Sequence, residues 1–145
     1  MGLSKDETIL LKLLRKTAIK AGDPGGREFT GLIGELAACE LFGYKWAPHF
    51  GYDALTEDGL KVQIKSRKSW TTPRVNPAGT IGKFGPKNQY NFDIGILIEL
   101  DHKFEIIEVW ERSMDSIREL ETKRPPGRSL HFRTFTNDIK SKFKG

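Results

Sequence analysis

The stretch NFDIGILIEL, residues 91–100, constrains the fold more than any other. Its apolar run is nearly unbroken, and it is far shorter than the ~20 residues of a membrane span. It reads as a β-strand buried on both faces, so other elements must cover the sheet around it. The neighbouring segments supply both sheet and cover. FEIIEVW, 104–110, follows across the tight turn DHK. Tyr52–Leu55 and Leu60–Ser66 flank TEDG, whose turn chemistry predicts an antiparallel hairpin. LHFRTF, 130–135, alternates and predicts a last strand, followed by a polar, basic tail.

Helices are predicted over 5–21, 28–42 and about 113–120. Ser4 and Glu7 have capping-box spacing, Leu10, Leu14 and Ala18 repeat every four residues, and Gly22 follows. Gly43 is the expected stop of the second helix. The order of elements predicts one α/β domain, a mixed β-sheet core flanked by helices. Residues 68–90 show no periodicity and carry Pro73, Pro77, Gly79, Gly82, Gly85 and Pro86. A loop of this length in a compact domain is usually functional or disordered.

Charge narrows the function. The chain of 145 residues carries a net charge of +5. Residues 61–90 hold seven Lys or Arg and no acid, and residues 123–145 hold seven and only Asp138. Two basic segments on an otherwise acidic body point to a polyanion partner. The first residues put acids before the apolar positions and do not read as a secretory signal, so a cytoplasmic location is expected. Cys39 is the single cysteine, which excludes an intrachain disulfide and a thiolate cluster; it reads as a small buried apolar residue. His49, His102 and His131 lack metal-ligand spacing.

Residues two apart in a strand share a face. Val62 and Ile64 therefore point into a core, while Lys61, Gln63 and Lys65 point the other way. Asp53 comes from the partner strand of the hairpin. A carboxylate and an amide oxygen on adjacent strands can reach one hard cation, and Mg²⁺ often takes only one or two carboxylates plus waters and substrate phosphate. A lysine beside such an ion can handle a water or offset charge on a phosphate. The second helix adds Glu35, near Leu32, Ala38, Cys39 and Phe42 at 100° per residue. Gly31 and Ala38 are the small residues expected to let it approach the sheet. Glu40 lies on the opposite face of that helix, and helix geometry alone does not rank the two acids.

GELAA, GYDAL, VQIKSRK, FDIGILIEL and FEIIEVW, in this order over Thr30–Trp110, resemble the PD-(D/E)XK nuclease superfamily and its restriction-endonuclease-like fold. The resemblance implies that Asp53 is the metal-binding acid and Lys65 the motif lysine. It implies that Glu35 is the helix acid seen in Holliday-junction resolvase-like members, which ranks it above Glu40. Gln63 stands where the pattern has Asp or Glu. The implied cofactor is Mg²⁺, with Mn²⁺ as a substitute, held by Asp53, Gln63, Glu35 and the Ile64 carbonyl. The implied activity is hydrolysis of DNA phosphodiesters, in duplex or branched DNA, and the resemblance makes a homodimer plausible.

Phosphate contacts are expected from Arg67, Lys68, Arg74, Lys83 and Lys87, which leave the active strand along the long loop. Trp70, Phe84 and Tyr90 interleave with them and could stack on bases or anchor the loop by packing. Two other readings compete. One is a catalytically weak or inactive nuclease fold that binds nucleic acid, since an amide at 63 brings no charge to a metal site. The other is a basic protein-interaction or accessory factor.

Overall fold

The computed structural model describes residues 2–22, 29–49, 51–69, 81–85, 89–125 and 129–145. Helix α1 (Lys5–Ala21) begins with the full capping box: the Glu7 N–H donates to Ser4 Oγ and the Ser4 N–H donates to Glu7 Oε1. Helix α2 (Thr30–Phe42) ends at Gly43, which takes the left-handed conformation. Strands β1 (Lys45–His49), β2 (Tyr52–Leu55), β3 (Lys61–Lys68), β4 (Ile94–Leu100) and β5 (Ile106–Ser113) follow. Helices α3 (Met114–Thr122) and α4 (Phe132–Thr136) and a short strand β6 (Phe143–Lys144) complete the chain.

All six strands form one sheet in sequence order. Only β3 and β4 are parallel; the other pairs are antiparallel. A parallel neighbour requires a crossover of a dozen or more residues. The long connection between β3 and β4 is therefore a demand of the topology. Ile96, Leu97, Ile98 and Leu100 are fully buried, so β4 is the two-faced strand its sequence predicts.

The sheet separates two apolar cores. Leu11, Ile33, Leu36, Ala38, Val62, Ile64, Ile96 and Ile98 fill the side covered by α1 and α2. Phe84, Phe92, Leu97, Trp110, Ile117, Leu130, Phe132 and Phe135 fill the other. The close approach of α2 to the sheet is made by Gly34: a Cβ there would overlap Ser66 Oγ on β3. Gly31, the glycine expected at that contact, faces open space.

Three segments depart from expectation. The predicted strand 130–135 is instead an extended Leu130–His131 leading into α4. Phe132 and Phe135, one turn apart, both enter the second core, and tertiary packing overrides strand propensity. Arg112 secures that turn, its Nε donating to the Phe135 carbonyl at 2.7 Å and Nη2 to the Asn137 carbonyl at 2.8 Å. The basic tail supplies β6, paired with Glu108 and Val109 of β5. The third is β1, which the sequence reading omits. It is an edge strand containing Pro48, with a register irregularity between Trp46 and His49, and proline is tolerated at such positions. No described helix is long and apolar enough to cross a membrane.

Candidate active site

The β2–β3 ladder pairs Ala54 with Val62 and Leu55 with Lys61. One step further, Asp53 lies across from Gln63, and its side chain takes over from the ladder: the Ile64 N–H donates to Asp53 Oδ2 at 2.8 Å. The N–H and C=O of one strand residue point to the same side, so the Ile64 carbonyl faces the same gap as the carboxylate.

Glu35 reaches this place from α2. It accepts a hydrogen bond from Trp46 Nε1 of β1 at 3.2 Å. Burial raises its pKa to about 7, and the neighbouring Asp53 adds to the rise; the Trp46 bond and Lys65 only partly oppose it. Asp53 is also raised, by burial, against the opposing effects of the Ile64 N–H and Lys65. Two acids and a lysine, drawn from a helix and two strands, thus act on one another. Both acids are poorly compensated as anions, which is the condition that a cation relieves.

Gln63 is half-buried, and its Oε1 has no hydrogen-bond partner among the described residues. An orphaned buried acceptor is costly, and a bound cation would satisfy it. Among the described residues no group of three His, Cys, Asp or Glu side chains gathers to hold an ion. A closed cage of the zinc kind is thus not built from such groups there. Two carboxylates, an amide oxygen and a carbonyl fit Mg²⁺, which keeps several waters. Glu40 is exposed and lines a groove beside Arg15 of α1, so the helix presents Glu35, not Glu40, to Asp53.

The basic residues divide. Lys65 and Lys83 line one cavity on the Gln63 side of β3. Arg67 is turned to other work: it pairs with Glu99 at 2.6 Å and its guanidinium lies 3.4 Å from the centre of the Phe132 ring. Lys68, on the opposite face of the strand, lies over Phe104 at 4.8 Å. Arg74, Lys87 and Trp70 lie outside the described residues. Phe84 is buried and stacks on Phe135 at 5.3 Å, and Tyr90 donates to Glu121, so both pack the loop onto the body. Burial raises the Cys39 thiol to about 12, in keeping with an inert core residue.

Sequence reasoning missed Trp46 and Glu121. Trp46 sits on the unread edge strand. Glu121 is only 5 % exposed and accepts from the Phe84 N–H, the Gly85 N–H and the Tyr90 hydroxyl at 2.7, 3.1 and 2.8 Å. Its one local signal is helical spacing, four residues after the buried Ile117 on the apolar face of α3. Compared with known proteins, the chain matches no family model and no curated protein sequence.

Proposed function

We propose that this protein is a Mg²⁺-dependent nuclease of the restriction-endonuclease-like, PD-(D/E)XK type that hydrolyses phosphodiester bonds in DNA. The observation that carries the reading is the convergence of Glu35, Asp53 and Lys65, with both acids destabilised as anions. The residues that would hold the ion are Asp53, Glu35, Gln63 through Oε1 and Ile64 through its carbonyl. An Mg²⁺ ion held by these residues would supply activation of water and charge to offset that on the phosphate.

The side chains do the rest. Lys65, beside both acids, orients the attacking water or stabilises the extra negative charge on the phosphoryl oxygens. Trp46 holds Glu35 in place, and the Ile64 N–H holds Asp53. In the reaction the water gives up a proton to solvent as its oxygen bonds to phosphorus, one ester P–O bond breaks, and the leaving alkoxide takes up a proton from solvent.

The test is cleavage of plasmid and branched DNA with Mg²⁺ or Mn²⁺. Cleavage abolished in both Asp53→Ala and Lys65→Ala supports the reading. A second reading, a nuclease fold retained for binding, draws on the amide at 63, which leaves the site one negative charge short of the motif. Salt-sensitive DNA binding without cleavage, unchanged in Asp53→Ala, would favour it. Gln63→Glu separates the two further: a gain in Mg²⁺ affinity or rate places position 63 at the ion.

A further inference from the structure

Lys65 serves more than the acid pair. A cavity of about 100 Å³ opens on its side of β3, and neither Asp53 nor Glu35 lines it. Among the described lining residues the charged groups are the ammoniums of Lys65 and Lys83, the other polar side chains are the amides of Gln63, Gln89 and Asn91, and there is no carboxylate. Ammonium and amide N–H groups are donors, so this lining suits an anion, whereas the acid pair suits a cation.

The cavity is held in shape. Gly51, at φ +99°, approaches Asn91 so closely that a Cβ would sit 2.7 Å from the Asn91 Cβ. Gly82, at φ +83°, takes a backbone conformation that favours glycine, and it lies within ordinary contact of the Lys65 ammonium. The buried Glu121 carboxylate pins the Phe84 and Gly85 amides, which anchors the backbone next to Lys83. Size limits the ligand as well. The volume is well under the ~300–1,000 Å³ of small-molecule sites. A tetrahedral anion fits, and a nucleoside does not.

We propose that this cavity is a phosphate subsite that grips the nucleic-acid strand at a phosphate next to the one cleaved, with Lys83, Gln89 and Asn91 as its own ligands and Lys65 shared with the acid site. The proposal rests on the nuclease reading for its substrate; it shares Lys65 and the lining Gln63 with that site and has Lys83, Gln89 and Asn91 as its own. A phosphate gripped here would place the scissile bond beside Lys65 and the acids.

Inorganic phosphate titrated into the ¹⁵N-labelled full chain in EDTA tests it. Saturable shifts are expected at Gly51, Lys83 and the side-chain amides of Gln89 and Asn91. Lys83→Ala should weaken phosphate by about tenfold or more, the loss of one charge-assisted contact. Asn91→Asp, nearly isosteric, should abolish binding by placing a carboxylate in the cavity. With DNA, Lys83→Ala should raise KM more than it lowers kcat. Shifts scattered over surface lysines, or unchanged affinity in both folded variants, would overturn the subsite whether or not DNA is cleaved. Phosphate binding lost in the variants, with no cleavage by the wild type, supports an anion subsite and overturns the nuclease reading alone. A 5′-phosphorylated oligonucleotide that outcompetes its 5′-hydroxyl twin, only when Lys83 is present, assigns the subsite to a chain end. Equal competition assigns it to an internal diester.

Discussion

The two faces of β3 are built from alternate residues of one eight-residue strand and behave oppositely. Val62, Ile64 and Ser66 face α2 in a contact so close that Gly34 has no room for a side chain. Gln63, Lys65 and Arg67 face amides, carboxylates and a loop. The first face supplies position, and the second carries the residues of the proposed chemistry. The second face divides again: Arg67 is neutralised by Glu99 and covered by Phe132, whereas Lys65 borders both an acid pair and the Lys83 cavity. A basic residue on an active strand is thus not by itself a phosphate ligand; what it is paired with decides.

The largest expected effect breaks the chemical face. Lys65→Ala should lower kcat for DNA cleavage by about a thousandfold or more, roughly 4 kcal/mol of barrier, with an unchanged circular dichroism spectrum. Loss of signal through unfolding instead would assign Lys65 to the frame. Next is the packing face. Gly34→Ala forces a methyl into Ser66 and should cost about 2–3 kcal/mol in urea unfolding, at the upper end for overpacking. Ser66→Gly in the same chain should recover part of it, and an absence of recovery would mean the clash lies elsewhere.

A smaller effect sharpens the division within the chemical face. Glu99→Gln leaves the half-buried Arg67 without its counter-charge and should cost about 1–3 kcal/mol of stability, read as a lowered urea midpoint while the phosphate affinity of the Lys83 cavity stays near wild type. The smallest concerns pH. The folded-state pKa of Glu35, about 7, lies above its ordinary 4.5. The native state therefore binds more protons between these values, and stability contributed below pH 4.5 is lost as pH rises through 7. In EDTA the loss should be on the order of 1–2 kcal/mol once partial exposure is allowed for. Urea unfolding at pH 5 and pH 8 measures it. Glu35→Gln should flatten the profile, and Mg²⁺ should stabilise the protein more at pH 8 than at pH 5.

Much of this fold is legible in short windows. The α1 capping box, the Gly43 stop, the 52–68 hairpin and the twice-buried β4 follow from residues a few positions apart. The alternation that sends Val62 and Ile64 one way and Gln63 and Lys65 the other is equally local. Segment 130–136 was illegible for a related reason. Leu130, Phe132 and Thr134 alternate like a strand, but Phe132 and Phe135 also match a helical turn, and only the second core and Arg112 choose. The edge strands β1 and β6 carry weak patterns because each is paired along one side.

By itself the sequence determined which residues could carry chemistry: an acid and a lysine on a hairpin, an acid on a helix, and bases along a crossover. Tertiary structure decided how they are used. Glu35 rather than Glu40 meets Asp53, Gly34 rather than Gly31 seats α2, and Glu99 claims Arg67 across 32 residues of chain. Local geometry depends on torsions and spacing that any short window contains. Pairing, burial and charge compensation depend on which distant residues the sheet brings together.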